Sequence, residues 1–204
     1  MFEAVLSGFA LGLGLIVAIG AQNALVLRQG LMREHVVLVV TICALSDAIL
    51  ITAGVMGLGR VVEANPTLLK IVTIGGALFL IAYGCLALMR AVRGGTLQAS
   101  EVTETNQKAL ALTCLALTWL NPHVYLDTVL LLGSLSAQFD GGAHVAFGAG
   151  AVTASFVWFI ALGFGARLLA PIFARPLAWR LLDLAIAAVM FLIAAKLLLD
   201  SPMS

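Results

Sequence analysis

The stretch GAQNALVLRQG, Gly20 to Gly30, ends a long apolar segment and places two amides, Gln22 and Asn23, where a membrane-spanning helix is usually apolar. A glycine weakens a helix, and polar side chains can satisfy the backbone groups that a helix break leaves without partners in lipid. The stretch therefore predicts a transmembrane helix that is interrupted at Gly20, with Gln22 and Asn23 at the break.

The composition of the chain predicts an integral membrane protein. Of its 204 residues, 62% are hydrophobic and only 10% are charged, whereas soluble domains carry about 25% charged residues. The mean hydropathy is +1.12, and the net charge of +1 gives no basic surface for nucleic acid. Because Cys43, Cys85 and Cys114 lie in apolar segments without disulfide or zinc spacing, we expect them to be small core residues, with no metal or cofactor.

Six apolar segments are long enough to cross a bilayer, which takes about 20 residues. They cover residues 4–27, 36–58, 68–89, 109–133, 144–166 and 181–199. No positive charge precedes the first segment, so we interpret it as a retained span and not as a signal peptide. The expected fold is an all-α membrane protein with six transmembrane helices in a single domain over residues 1–204.

Basic residues are distributed unequally between the two sides of this arrangement. One side collects eight of them, namely Arg28, Arg33, Arg90, Arg93, Lys108, Arg167, Arg175 and Arg180. The other side has three, Arg60, Lys70 and Lys196. Because basic loops usually face the cytoplasm, six spans place both termini on the periplasmic side of a bacterial inner membrane. A five-span arrangement would move one terminus.

Short matches in the same order relate the two halves of the chain. FLIA occurs at residues 79–82 and 191–194, GLGR at 57–60 resembles GFGAR at 163–167, and GAQN at 20–23 corresponds to LNPH at 120–123. Because each half has three spans, the second half must cross the membrane in the opposite sense. We therefore expect a 3+3 inverted repeat, with repeats of about 1–95 and 108–204, whose binding site lies at interrupted first and fourth helices near the midplane.

The pair Asn121-Pro122 marks the second predicted break. Proline has no backbone N–H and disfavours helical geometry at the residue before it, and asparagine followed by proline is typical of an N-cap and a first helical residue. A half-helix that starts at Pro122 would direct its positive end towards an anion such as a substrate carboxylate. The alternative is a simple proline kink, with Asn121 bonded to a neighbouring carbonyl group.

Two carboxylates, Asp47 and Asp127, lie near the middle of the second and fourth predicted spans. An aspartate at that depth costs roughly 2.5–3.5 kcal/mol and usually has a function. No lysine or arginine lies at matching depth, although Lys196 near the end of the sixth span could reach inwards. We expect the two acids to bind a cation or a proton; the alternative is a neutral acid that cross-links helices. Asp183, three residues after Arg180, is instead expected to form a surface ion pair with it.

Three further side chains are candidate accessory residues. His123 lies four residues before Asp127, on the same helical face, and could tune that acid or relay its proton. Tyr125 and Trp158 could line a cavity or contact a substrate's alkyl stem. Polar filling for His123, and helix packing or interface anchoring for the two aromatic residues, are the alternatives.

Together these residues suit a zwitterion that carries an extra positive charge. They offer a positive helix end for a carboxylate, amides for an α-amino group and acids for a side-chain cation. A bare metal ion fits less well because no cluster of histidine, glutamate and aspartate has ligand spacing, and no phosphate-binding loop is present. The residues indicate a secondary transporter and not an enzyme; a channel, or an exporter of a metal cation or a neutral amino acid, is the alternative.

Four segments carry a resemblance to a known family: GAQNALVLRQG, LSDAIL, LNPHVYLDTVLLLG and AAVMFLIAAKLLL. They resemble the LysE/ArgO family of bacterial lysine and arginine exporters. In the wider superfamily the first motif is usually of a Gly-Pro kind, and the Gly-Ala-Gln-Asn found here is similar to the basic-amino-acid branch. The resemblance implies an inner-membrane exporter of L-lysine, L-arginine or both, driven by the proton motive force.

Two glycine-rich stretches bear on the oligomeric state. Small residues in GFALGLG and GGALFLIAYG allow helices to approach closely. Such contacts form equally well within one chain or between two chains, so the stretches leave a homodimer open.

Overall fold

The computed structural model describes residues 1–17, 20–57, 66–93, 106–121 and 124–200, which contain helices and turns but no strand. The α-helices in these residues are α1 (Phe2–Val17), α2 (Ala21–Met32), α3 (Val36–Val55), α4 (Pro66–Arg93), α5 (Gln107–Trp119), α6 (Leu132–Ser136), α7 (Ala143–Gly165) and α8 (Pro176–Asp200). A π-helix, Tyr125–Leu131, runs directly into α6. The expected all-α class is therefore confirmed.

Four helical segments are long and apolar enough to cross a membrane by themselves. They are Val36–Val55, Thr73–Val92, Ala143–Leu169 and Pro176–Leu199. A fifth candidate is the pair of α1 and α2, which are bent by 79° relative to each other. The predicted first span is therefore two helices and not one.

The predicted fourth span, residues 109–133, is also divided. It consists of α5, with 13 residues, and the short apolar segment Tyr125–Ser136, and each is too short to cross a bilayer alone. The described part of the chain thus provides four spans, or five with the bent pair. The six-span 3+3 arrangement and the single-domain boundaries remain predictions.

The centre of the bundle is formed by α3 and α7, because both contribute to each of the two buried apolar clusters. The larger cluster joins them to α2, α4, α5 and α8 and includes Leu80, Leu117 and Met190. The smaller cluster joins them to α1 and α6 around Phe147. Polar residues in the middle of α3 and α7 are therefore held between helices on several sides.

Two of the three cysteines fit the expectation of small core residues. Cys43 on α3 and Cys114 on α5 are buried, and their Sγ atoms lie 3.2 Å apart as a hydrogen-bonded pair of free thiols. Cys85 is exposed on α4, so the expectation is wrong there. Apolar residues of a membrane protein also face outwards, where lipid surrounds them, and apolar context alone therefore does not distinguish core from surface.

The glycine-rich stretches of the sequence make contacts within the chain. A Cβ atom added to Gly8 of α1 would overlap the carbonyl oxygen of Phe147 on α7, and one added to Gly12 would lie 3.0 Å from the Cα atom of Ala151. In the second stretch, a Cβ atom on Gly84 would lie 3.0 Å from the ring of Phe191. These glycines therefore allow helices of one chain to approach closely.

Two further glycine contacts match between the halves of the chain. Gly54, near the end of α3, faces Gly133 of α6, where an added Cβ atom would lie 2.6 Å from the Gly54 carbonyl oxygen. Gly163, near the end of α7, faces Gly30 of α2 in the same way. Each long helix thus contacts the segment that follows the break in the other half. An inverted repeat would produce such matching contacts, and the repeat itself stays a prediction.

Gly8→Ala is expected to lower the free energy of unfolding by about 1–3 kcal/mol, the usual cost of overpacking a close contact. Gly14→Ala is the matched control, because Gly14 lies on the same helix and has no atom within 4 Å of the added Cβ. Both substitutions replace glycine by alanine within one helix and gain the same helix propensity. The difference between their unfolding free energies therefore reports the contact with α7. Thermal unfolding in detergent measures it, and equal stability of the two variants would show that α1 does not pack on α7 at Gly8.

Candidate functional site

The first break lies between α1 and α2, where Gly20 has an extended backbone (φ −120°, ψ 171°). The Nδ2 atom of Asn23 donates a hydrogen bond to the carbonyl oxygen of Ile16 at 2.7 Å. The Nε1 atom of Trp158 on α7 donates to the Oδ1 atom of Asn23 at 3.2 Å. Asn23 therefore satisfies a carbonyl group near the end of α1 and is itself held by α7.

Gln22, next to Asn23, is placed differently. Its Nε2 atom is buried and makes no hydrogen bond of normal geometry in the part of the chain that the structure describes, but its side chain interacts with Asp47 and Cys43. This donor lies at the border of a cavity, where it can bind an acceptor atom of a ligand.

The second break follows α5, which ends at Trp119, and Asn121 beyond it is 9% exposed. The hydroxyl group of Tyr125 donates a hydrogen bond to the carbonyl oxygen of Trp119 at 2.7 Å. Tyr125 thus satisfies a carbonyl group before the second break, as Asn23 does before the first. Pro122 and His123 lie outside the described residues, so a half-helix that starts at Pro122 stays a prediction.

Asp127 and Thr128 lie in the π-helix that follows this break. Single π-helical turns are rare and occur frequently at functional sites. The wide turn packs closely on α3, because a Cβ atom added to Gly54 would lie 2.6 Å from the carbonyl oxygen of Thr128. Sequence reasoning missed the π-helix, since nothing in YLDTVLL distinguishes it from an α-helix.

Asp47 lies in the middle of α3 and is only 3% exposed. Its Oδ2 atom accepts a hydrogen bond from the Oγ atom of Ser155 on α7 at 3.0 Å. One residue before Asp47, Ser46 accepts a hydrogen bond from the Nε1 atom of Trp119. Ser155 was not among the sequence candidates, although it is one of two hydroxyl residues, with Thr153, in the middle of the predicted span 144–166.

A cavity of about 300 Å³ brings most of the predicted site residues together. Its lining combines both breaks with parts of α1, α3, the π-helix, α6 and α8. The lining residues are Leu15, Ile16, Gly20, Ala21, Gln22, Asn23, Asp47, Asn121, Val124, Asp127, Thr128, Leu132, Ile193 and Lys196. Five of the six predicted binding residues are among them; Pro122 lies outside the described residues. Tyr125 and Trp158 do not line the cavity; they donate hydrogen bonds to Trp119 and to Asn23, respectively, at the two breaks.

The charged groups in the described lining are Asp47, Asp127 and Lys196. When all three are ionised, they sum to one negative charge. A ligand that carries one net positive charge therefore neutralises this set.

Asp183 does not form the surface pair with Arg180 that was expected. It is 6% exposed, and its Oδ1 atom accepts hydrogen bonds from Arg28 Nη1 of α2 and from Arg90 Nε of α4, the latter at 3.2 Å. The i,i+3 rule describes helices in isolation, and here α2 and α4 cover the face of α8 that carries Asp183. The cluster joins three helices at the end of α8 opposite to Lys196.

Asp183→Asn is expected to lower the free energy of unfolding by about 2–3 kcal/mol, because two neighbouring guanidinium groups lose the carboxylate between them. The loss should stay below that of a fully buried pair because the Arg90 side chain is 34% exposed. Thermal unfolding in detergent measures the effect, with Asp140→Asn as the control at an exposed aspartate. Indistinguishable stability of the two variants would rule out a structural role for the cluster.

Comparison with known proteins identifies relatives of this chain. The family described as "LysE type translocator" matches residues 13–201. "Putative amino-acid transporter Mb0498" of Mycobacterium bovis and "Putative amino-acid transporter Rv0488" of Mycobacterium tuberculosis are each 46% identical over 186 residues, which cover 91% of this chain and 92% of theirs. No solved structure matches the chain significantly.

Proposed function

This chain belongs to the LysE type translocator family, and from that premise we propose that it exports basic amino acids, L-lysine, L-arginine or both, in exchange for protons. The proposed location is the bacterial inner membrane. The protein moves its substrate without changing it chemically and is therefore a transporter and not an enzyme.

The observation that carries the proposal is the charge of the cavity. Asp47 and Asp127 contribute two carboxylates and Lys196 one ammonium group, so the lining is complementary to a substrate with two positive groups and one negative group. Lysine and arginine have this composition. With both aspartates ionised, a neutral amino acid would leave one of their negative charges without a counter-charge in a low-dielectric surrounding, which is unfavourable.

Proton exchange follows from the energetics of exporting a cation. Moving one positive charge out of an inside-negative cell costs about 2.3 kcal/mol per 100 mV, and a passive pore would therefore let such cations in. One proton that enters for each cation that leaves removes this cost, because no net charge moves. Asp47 and Asp127 can each be neutralised either by a proton or by the substrate's cationic group, and this competition is what antiport requires.

The breaks supply the remaining contacts. The positive helix end predicted at Asn121-Pro122 would contribute to binding of the substrate's carboxylate, and we assign Gln22 to a polar group of the substrate, because its buried amide nitrogen borders the cavity and makes no hydrogen bond of normal geometry. Asn23 is engaged by Ile16 and Trp158 and therefore acts by holding the break open. His123 stays a candidate for proton relay to Asp127.

Export of a metal cation is the alternative of a different class, and a channel is a third. A metal site needs several ligands at defined distances, and the described residues contain no group of three or more histidine, cysteine, aspartate or glutamate side chains that could hold an ion. A neutral amino acid is the closest alternative substrate.

Growth on dipeptides tests the proposal in cells. Dipeptides that contain lysine or arginine load the cytoplasm with the amino acid by hydrolysis, and cells without an exporter should stop growing. Expression of this protein is expected to restore growth on basic dipeptides and not on alanyl or leucyl dipeptides at inhibitory concentrations. Rescue on neutral dipeptides, or rescue of metal tolerance alone, would contradict it.

The proposed orientation has both termini in the periplasm, because eight of the eleven basic residues fall on the opposite side of six spans. Alkaline phosphatase fused to the C-terminus is then expected to be active, and green fluorescent protein at the same position is expected to be dark. The reverse pair of results would place the C-terminus in the cytoplasm and would favour an odd number of spans.

A further inference from the structure

Lys196 is the one full positive charge among the described residues that line the cavity. It lies on α8, one helical turn after Ile193, and both residues face the cavity. Thirteen residues separate it from Asp183, which is about 20 Å along the helix, so Lys196 and the Arg28–Asp183–Arg90 cluster occupy opposite ends of α8. In the described part of the chain the salt bridges are those of that cluster, and Lys196 takes part in neither.

A carboxylate that enters this cavity meets two other carboxylates. Like charges at close distance raise the cost of binding, whereas an opposite charge lowers it. A helix end provides only about half of an elementary charge, which does not balance Asp47 and Asp127. The ammonium group of Lys196 provides a full charge and three hydrogen-bond donors.

We propose that Lys196 binds the α-carboxylate of the substrate, and that this contact makes the cavity select basic amino acids over diamines of the same length. The inference rests on the proposed function, since it names which residue recognises which part of the substrate. It also gives a role to a lysine that lines the same cavity as two acids, because a positive charge there disfavours simple cations.

Charge counting gives the consequence of removing this lysine. With Lys196 present, the three groups sum to one negative charge and match lysine, which carries one net positive charge. Lys196→Gln leaves two negative charges, which match 1,5-diaminopentane, the decarboxylated form of lysine. The variant should therefore lose affinity for lysine and gain affinity for the diamine.

Counterflow in proteoliposomes measures both effects. Vesicles are loaded with unlabelled lysine or unlabelled diamine, and uptake of the labelled compound is followed for wild type, Lys196→Gln and Lys196→Arg. Lys70→Gln is the matched control, because Lys70 is exposed, as Lys196 is, but does not line the cavity. We expect wild type, Lys196→Arg and Lys70→Gln to prefer lysine, and Lys196→Gln to shift the ratio of half-saturating concentrations by at least about tenfold towards the diamine, the effect of losing one charged hydrogen bond.

An unchanged preference in Lys196→Gln, with lysine exchanged by the wild type, would overturn the inference and leave the proposed function intact. If the wild-type protein exchanged neither lysine nor arginine, this result would contradict the proposed function itself.

If Lys196→Gln does not fold, the inference can be tested in the wild-type protein by comparing L-lysine with an analogue that lacks the carboxylate. L-lysinamide lacks the carboxylate but keeps both amino groups, and it is expected to exchange at least about tenfold less well than lysine. Equal exchange of the amide and lysine would overturn the inference without any variant.

Discussion

Asp47→Asn is expected to abolish net, proton-coupled export of L-lysine while exchange of labelled for unlabelled lysine continues with lower affinity, because one of the two carboxylates is lost. Asp47 is buried in the middle of α3, and its neighbour Ser155 can hydrogen-bond to an amide as well as to a carboxylate. The substitution therefore keeps the shape and removes only the group that can take up a proton. Insertion into the membrane should become slightly easier, because a buried charge is lost.

Exchange and net export measured side by side in proteoliposomes test this expectation. Asp140→Asn is the control, since Asp140 is exposed and does not line the cavity. Protein level and elution from a sizing column show whether each variant is folded. Full proton-coupled export by Asp47→Asn would remove Asp47 from the mechanism.

Asp127→Asn is expected to weaken lysine binding by about 10- to 100-fold, corresponding to the roughly 1.5–3 kcal/mol of a hydrogen bond to a charged group. Asp127 follows the predicted half-helix start at Pro122 by five residues, which is within two helical turns of its positive end. The positive end of that half-helix favours the ionised carboxylate. Asp127 should therefore act as a permanent partner of the substrate's cation, whereas Asp47 alternates between substrate and proton.

A neutral analogue separates this role from a structural one. Citrulline has nearly the shape of arginine but no side-chain charge. If Asp127 pairs with that charge, Asp127→Asn should weaken binding of arginine and leave the weak binding of citrulline nearly unchanged. An equal loss for both compounds would indicate that the substitution damages the cavity, and unchanged arginine binding would show that Asp127 does not contact the cation.

Local sequence features were sufficient to predict the membrane class, the first break and most of the polar residues that line the cavity. The break at Gly20 was predictable because glycine weakens a helix and the two amides that follow can bond the backbone groups that a break frees. Asp47 and Asp127 could be identified from the sequence because inserting a carboxylate into the membrane costs free energy, whichever residues surround it in the fold.

Contacts between distant segments could not be predicted in this way. Ser155 is separated from Asp47 by 108 residues, and Arg28 from Asp183 by 155, so only the packing of α3 on α7 and of α2 and α4 on α8 reveals these pairs. Asp183 was assigned to Arg180 because the sequence shows neighbours along a helix and not those across an interface. The backbone of the π-helix around Asp127 packs against Gly54, and this contact cannot be inferred from the residues of the π-helix alone.

The most direct test of proton-coupled export of basic amino acids is to measure lysine and proton movement together in proteoliposomes loaded with labelled L-lysine. An acidic outside is expected to drive lysine out, with one proton entering for each lysine lost. A protonophore should abolish this drive, and a membrane potential set by potassium and valinomycin should leave the rate unchanged, because one-for-one exchange moves no net charge. A rate of lysine efflux that does not depend on the pH gradient would contradict the proposal. Efflux of labelled leucine at the same rate as lysine would contradict it as well.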